Sequence, residues 1–310
     1  MIRVENLTKY YGDRLAVDNI SFNVEKGEIL GLLGPNGAGK TTTMRILTGF
    51  LMPTRGDTWV AGYDMLTHSL EGRQHIGYLP EAIPLYTDMT VRSYLDFSAR
   101  IRGLDKIRRQ NRIEEVMDIC HLEEYIDVLI GKLSRGFKQR VGVAQAIIHE
   151  PEVLILDEPT IGIDPIQVAM TRQLIKELGQ DHTILISSHI LPEVSMTCER
   201  VAIMNEGRIV AEDRIDNLSS ILRGTKRIRL EVEGPRKKVT ERLHQIEGVS
   251  RVSYEDPHYI VECAAEQDPR GKIMQTIVQG GWTLLSMESI EMSLEDIFLK
   301  LTTTEEETGE

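Results

Sequence analysis

A glycine-rich stretch ending in Lys-Thr, Gly34-Pro35-Asn36-Gly37-Ala38-Gly39-Lys40-Thr41, constrains this chain more than any other segment. The apolar run Ile29-Leu30-Gly31-Leu32-Leu33 before it predicts a buried strand, and Thr42-Thr43-Met44-Arg45-Ile46-Leu47 after it predicts a helix. Strand, GxxxxGKT turn and helix together make the P-loop pattern. Phosphate oxygens need several backbone N–H groups turned toward them, and side chains would block that approach. Glycines remove the obstruction and permit the unusual dihedrals. The helix start adds unpaired N–H groups and the positive end of its dipole. Lys40 is a mobile point charge for the β- and γ-phosphates, and Thr41 offers a hydroxyl to Mg²⁺.

The 310 residues leave room for one large domain or two smaller ones. A formal net charge of -12 argues against a general basic surface for nucleic acid. The opening Met1-Ile2-Arg3-Val4-Glu5 lacks the apolar core of a signal peptide. No stretch approaches the ~18 consecutive apolar residues of a membrane span, so a membrane role has to come through a partner. Cys120, Cys198 and Cys263 are far apart without CxxC spacing, which fits buried thiols in a reducing cytoplasm.

Residues 2–33 read as β-rich. Tyr10-Tyr11-Gly12-Asp13 puts rings near a sheet edge, where they pack locally or stack on a purine. Strands follow at Thr58-Trp59-Val60 and Ile76-Gly77-Tyr78-Leu79. From Thr90 to Ile130 the spacing turns helical, through Val91, Tyr94, Leu95 and Ala99, then Ile113, Val116, Met117 and Cys120. The basic cluster from Arg100 to Arg112 reads as solvated helix surface, with a contact face for a partner as the alternative. This block, about residues 85–150, predicts a helical insertion in an α/β core. Within it, Ser134 stands where an N-cap belongs, ahead of an apolar helix; a hydroxyl at a helix N-terminus is a cap or a second phosphate contact.

Val153-Leu154-Ile155-Leu156 predicts a buried parallel strand ending in Asp157-Glu158-Pro159. Open α/β sheets place ligands at that end. Asp157 suits Mg²⁺ through water, and Glu158 suits the polarisation of an attacking water. Thr183 to Ser188 is another buried strand, with His189 at its polar tip able to hydrogen-bond a γ-phosphate. Asn205-Glu206-Gly207 marks a hairpin closing a first domain at residues 1–222. Asn217 to Leu222 suggests a short helix and residues 223–226 a linker. Residues 227–302 run β-α-β-β-α-β, the order of a small α+β ferredoxin-like domain, with a terminal helix from Ser293 to Leu301. The acidic tail 303–310 reads as disordered.

Taken in order, residues 2–222 resemble the ATP-binding subunits of ABC transporters. Gly34 to Thr41 resembles Walker A and Val153 to Glu158 resembles Walker B with its catalytic glutamate. Leu133 to Arg140 resembles the LSGGQ signature, Thr160 to Asp164 the D-loop, His189 the switch histidine and Tyr11 the A-loop ring that stacks on adenine. The resemblance implies ATP held by Tyr11, by Gly34, Pro35, Asn36, Gly37, Ala38, Gly39, Lys40, Thr41 and Thr42, and by Glu81, Ser134, Gly136 and Asp164. It implies Mg²⁺ at Thr41, Asp157 and Glu81, and catalysis by Glu158, His189 and Lys40. Two identical copies would pair head to tail, the P-loop of one facing Ser134 and Gly136 of the other. Such a pair would work at the cytoplasmic face of the membrane, through a separate permease chain and without nucleic acid. The sequence departs from the family at Glu81, where Gln is usual, and at Arg135 and Phe137, where Gly and Gln are common. These departures, and the C-terminal unit with its Ser293-Leu294-Glu295-Asp296-Ile297-Phe298, resemble the branch serving drug, antibiotic and gliding-associated exporters. A soluble ABC ATPase acting on nucleic acid or ribosomes is the alternative. It would normally carry two ATPase domains or a long coiled-coil insertion.

Overall fold

The computed structural model describes residues 1–217, 225–264 and 269–290. The chain divides into two compact units, Met1–Asp213 and Arg214–Glu310.

In the first unit, three segments follow their apolar runs into fully buried strands: β3 (Ile29–Leu33), β7 (Val153–Asp157) and β8 (Thr183–Ser188). Strands covered on both faces carry no polar alternation, which is why these runs are continuous. With β6 (Ile76–Leu79), β9 (Arg200–Asn205) and β10 (Arg208–Arg214) they form a six-stranded sheet of order β10-β9-β3-β8-β7-β6. The pairs β9/β3, β3/β8, β8/β7 and β7/β6 are parallel. β10 follows β9 through the two-residue turn Glu206-Gly207, a connection short enough only for antiparallel neighbours. Register sets Leu33 opposite Ser188 and Asp157 opposite Ser187. The P-loop, Glu158 and His189 therefore leave the sheet from one common edge.

A second, antiparallel sheet has the order β2-β1-β4-β5. It consists of β1 (Ile2–Tyr11), β2 (Arg14–Val24), β4 (Arg55–Val60) and β5 (Tyr63–Asp64). Its inward residues, among them Val4, Leu7, Ile20 and Phe22, share a core with Leu30, Leu32, Ile155 and Leu185 of the parallel sheet. Helix α1 (Lys40–Leu47) contributes Met44, Ile46 and Leu47 to the same core.

After α2 (Ser69–Gln74), the helical insertion comprises α3 (Val91–Ile101), α4 (Lys106–Ile119) and α5 (Arg135–Ile147). Thr90, Asp105 and Ser134 cap their N-termini through side-chain oxygens. The basic cluster is partly solvated, as read from the sequence, with Arg100, Lys106 and Arg108 exposed, and partly engaged within the chain. Arg112 is buried and donates to the carbonyls of Ile147 and Ile148 at the end of α5. Arg100 and Arg109 pair with Asp96, Arg108 with Glu150, and Arg102 donates to the carbonyls of Arg73 and Ile76. Helices α6 (Pro165–Leu178) and α7 (Leu191–Thr197) flank β8 in the chain.

In the second unit, β11 (Thr225–Glu233), β12 (Val249–Glu255), β13 (His258–Ala264) and β14 (Thr283–Ile290) form an antiparallel sheet of order β12-β13-β11-β14. Helices α8 (Arg236–His244) and α9 (Arg270–Gln279) complete the β-α-β-β-α-β order. Val239, Leu243, Ile273 and Ile277 pack on Ile228, Leu230 and Val261 of the sheet. This is the ferredoxin-like arrangement read from the sequence. Thr225 and Lys226, assigned to a linker there, belong instead to β11, where they pair with Ala264 and Cys263. The short helix from Asn217 onward, the terminal helix Ser293 to Leu301 and the tail 303–310 fall, apart from Asn217 itself, outside the described residues. The three cysteines are free and buried. Burial pushes the Cys120 thiol up to about 12.

Candidate functional site

Helix α1 begins at Lys40, two residues before the apolar pattern indicates. Gly39 sets that start. It precedes the helix in the left-handed region, at φ 103°, and a Cβ there would lie 2.6 Å from the carbonyl oxygen of Ala16. No side chain caps this helix, whereas α3 to α6 are all capped. Its first N–H groups therefore face an open cavity of about 480 Å³. Asn36, Gly37, Ala38, Gly39, Lys40, Thr41 and Thr42 line it, together with Tyr11, Glu81 and Glu158.

Lys40 is almost wholly buried. Its Nζ donates to the carbonyl of Gly34 (2.6 Å) and that of Pro35 (3.2 Å), and it lies 3.4 Å from Glu158 Oε1. His189 Nδ1 lies 2.9 Å from the other Glu158 oxygen. Glu158 thus sits between two basic groups, 5% exposed, with its backbone in the left-handed region at φ 49°. Such a conformation costs a non-glycine residue of order 1 kcal/mol or more and needs support from its surroundings. Ser187 provides part of that support. Its hydroxyl accepts from the Glu158 backbone N–H (2.9 Å) and donates to Asp157 Oδ1 (2.7 Å).

Asp157 is fully buried and level with the start of the P-loop. Thr41 donates to its Oδ1 at 3.1 Å, while Oδ2 is buried without a partner among the described residues. Burial raises the Asp157 carboxyl above the usual range; the hydrogen bonds from Ser187 and Thr41 oppose the rise. An orphaned carboxylate oxygen beside a threonine hydroxyl fits a hard divalent cation that takes its remaining ligands from phosphate and water. No cluster of three or more Asp, Glu, His or Cys side chains suited to a metal occurs among the described residues.

The other predicted residues stand apart. Ser134, Gly136 and Asp164 do not line the cavity. Ser134 Oγ accepts from the N–H of Phe137 at 3.4 Å, and Asp164 caps α6 by accepting from the N–H of Gln167 at 3.1 Å. Gly136 lets α5 approach α6, since a Cβ there would lie 2.8 Å from Gln167 Cγ. Arg140 reinforces this contact by donating to Gln167 Oε1 at 2.9 Å. The two unusual signature residues have partners inside the chain. Phe137 packs on Tyr125, ring centroids 4.1 Å apart, and the Arg135 guanidinium lies against Gly162. Sequence reasoning missed Arg14, Leu15, Ala16 and Ile161 as lining residues and Ser187 as the bridge behind the acids. Arg14 was accessible through hairpin register, because it pairs directly with Tyr11.

The edge combines a glycine-rich cradle, a buried ammonium, a buried carboxylate with an unpartnered oxygen and a carboxylate–histidine pair. That set suits phosphoryl transfer from a nucleotide to water. The comparisons agree. Residues 17–161 match the family model described as ABC transporter, and residues 217–302 match the C-terminal domain described as ATP-binding protein DrrA1-3-like. The chain is 37% identical over 303 residues to the bacitracin transport ATP-binding protein BcrA of Bacillus licheniformis, covering 97% of both. It is 32% identical over 305 residues to the linearmycin resistance ATP-binding protein LnrL of Bacillus subtilis (strain 168), covering 97% of this chain and 98% of that one. A solved ATP-binding subunit of an ABC transporter superposes with a TM-score of 0.65 at 29% identity, covering 71% of this chain and 92% of that one. A dimeric ATP-binding cassette in a post-hydrolysis state, bound to ADP and Pi, has a TM-score of 0.64 at 23% identity, over 69% of this chain and 99% of that one; this is a likeness of fold.

Proposed function

The chain belongs to the ABC transporter family of ATP-binding proteins, and on that premise we propose that it is the ATP-hydrolysing subunit of an exporter whose membrane-spanning part is a separate chain. One observation carries the reading. A single cavity gathers Tyr11, the P-loop, Glu81 and Glu158, while Ser134 and Gly136 stand outside it. The second phosphate contact then has to come from another copy, paired head to tail with the first.

In this reading Tyr11 stacks on adenine, and Gly34 to Thr42 hold the phosphates. Lys40 exchanges Glu158 for the β- and γ-phosphates when nucleotide enters. Released from Lys40, Glu158 orients and deprotonates water, and His189 holds the γ-phosphate. Thr41 and Asp157, with Glu81 beside them, would hold Mg²⁺, which supplies positive charge to the phosphate oxygens. Ser134 and Gly136 of the second copy close on that phosphate, and Asp164 keeps the intervening loop on α6.

The membrane partner has a place to dock. A groove of about 940 Å³ lies between the parallel sheet and the helical insertion. Phe50, Leu70 and Ile101, each about 70% exposed, line it beside Tyr86 and Phe97. Exposed apolar residues gathered in a cleft fit an amphipathic segment of a partner. No helix among the described residues is long and apolar enough to cross a membrane. The chain would therefore sit at the cytoplasmic face through that contact. Its full-length relatives carry transport and resistance names, which favours the exporter over an ATPase acting on nucleic acid or ribosomes.

The test pairs Ser134→Arg with the parent chain. The parent should hydrolyse Mg-ATP with a specific activity that rises with protein concentration. The variant should bind ATP with parental affinity and hydrolyse it at least ~100-fold more slowly, as expected for loss of a preorganised phosphate contact. Efficient hydrolysis by the variant as a monomer would refute the composite site. Co-purification of a polytopic membrane protein, lost with Ile101→Glu, tests the permease contact.

A further inference from the structure

The loop after Glu158 and the strand end before His189 are joined a second time, behind the site. Thr160 Oγ1 donates to Glu193 Oε2 in a short contact, and Ser188 Oγ lies 3.3 Å from the same oxygen. All three residues are buried, at 5%, 9% and 1% exposure for Thr160, Glu193 and Ser188. The Ser188 hydroxyl also accepts from the backbone N–H of Ile190 at 3.0 Å, which fixes the turn on which His189 sits. Glu193 belongs to α7, and α7 lies directly on β3: a Cβ on Gly31 would fall 2.3 Å from Val194 Cγ1. Its carboxylate is thus held on a helix packed closely against the strand leading into the P-loop.

A buried carboxylate facing hydroxyls is an expensive way to fill space, and an apolar side chain would be cheaper. Its geometry supplies a reason. Glu158 is in the left-handed region at φ 49° and relies on neighbours to stay there. Ser187 holds it from the strand side, through the Glu158 N–H. Thr160 is the first polar side chain after Glu158 and is anchored by Glu193. The same oxygen reaches Ser188, adjacent to His189. We propose that Glu193 is a positioning residue for ATP hydrolysis, its carboxylate clamping Thr160 to Ser188 and thereby fixing Glu158 against His189. This rests on the roles of Glu158 and His189 given above.

The experiment measures steady-state Mg-ATPase and nucleotide affinity, the latter with a fluorescent ATP analogue, on the full chain. The variants are Glu193→Ala, Glu193→Gln, Thr160→Val and the double variant Glu193→Ala/Thr160→Val. A misplacement at this range should lower kcat about 10- to 100-fold in Glu193→Ala while nucleotide Kd stays within about 3-fold. Glu193→Gln should recover part of the loss, because its amide oxygen still accepts. Thr160→Val should lose kcat in the same way, and the double variant should be no slower than Glu193→Ala, because both changes break one link. Parental kcat in Glu193→Ala, multiplying losses in the double variant, or a joint loss of kcat, nucleotide affinity and Tm would overturn the proposal. Should Glu193→Ala fail to fold, parental kcat in both Thr160→Val and Glu193→Gln would overturn it equally. A parent chain without Mg-ATPase would instead count against the assigned hydrolysis.

Discussion

Glu158→Gln separates binding from turnover at this site. The carboxylate lies 3.4 Å from Lys40 Nζ, both side chains only 6% exposed. At an effective dielectric of about 20 the gross attraction across that distance is about 5 kcal/mol, from which the desolvation of both ions must be subtracted. Arriving phosphates compete with this attraction for Lys40. The amide keeps the shape and removes the charge, so ATP should bind as tightly as to the parent or more tightly. Turnover should collapse, since an amide cannot accept the proton of the attacking water. A positioned base contributes about 10²- to 10⁴-fold, or about 3–5 kcal/mol of barrier. Phosphate release under saturating Mg-ATP measures the second effect and equilibrium nucleotide binding the first. Sedimentation with ATP should show a persistent dimer in the variant and a transient one in the parent. Turnover within about 3-fold of the parent would refute Glu158 as the base, as would weaker ATP binding in step with lost turnover.

Two further outcomes follow from the same edge. Tyr11→Ala should raise KM for ATP about 2- to 10-fold with kcat preserved, the scale of one aromatic stack, and Tyr11→Phe should restore it; steady-state kinetics on the three chains decides. Asp157→Asn should melt higher than the parent without nucleotide, because it relieves a buried carboxylate with an unpartnered oxygen. It should also lose the stabilisation by Mg-ATP, worth about 2.7 kcal/mol to the parent at a hundred times Kd. The pH dependence has a defined sign. Burial raises this carboxyl in the folded state, so its contribution to stability is fully present below the unfolded value near 3.9 and is lost as pH rises through the folded one. Urea melts from roughly pH 4 to 7 should therefore show the parent losing stability relative to the variant as pH rises.

The central sheet and the P-loop were legible for a physical reason. Parallel strands buried on both faces carry near-continuous apolar runs, as β3, β7 up to Leu156 and β8 from Ile184 to Ile186 do, and their polar residues fall at the strand ends. Phosphate binding likewise demands glycines in a fixed order, which leaves few alternative readings. Legibility ended where one residue type serves two purposes. Ser134 and Asp164 cap helices in this structure, and nothing in their identity separates a cap from a phosphate contact. The arginines from Arg100 to Arg112 looked like surface because helical periodicity records facing and not partners. Arg112 turned inward to the carbonyls of α5, 35 positions away. Ser187 read only as part of a polar strand tip, because its bridging role needs Asp157 placed opposite by register. The left-handed backbone of Glu158 left no sequence signal, since glutamate has no preference for that region.

Those same dihedrals and contacts explain why a single copy should hold ATP without consuming it quickly. Lys40 and Glu158 would both act on the γ-phosphate, yet here they neutralise each other. On the proposed roles, nucleotide binding would draw Lys40 to the phosphates and leave Glu158 with His189 as its remaining partner. The carboxylate would then face an anionic phosphate whose charge Lys40 and a cation held at Thr41 and Asp157 offset only in part. Water positioned between two negative groups is a poor nucleophile until further donors reach the γ-phosphate. Among the described residues, Ser134 faces its own helix and Gly136 packs on α6, so neither serves as that donor within one copy. The α5 terminus of a second copy is the nearest chemical equivalent that remains. On the composite-site proposal, hydrolysis would be tied to assembly by electrostatics as well as by shape.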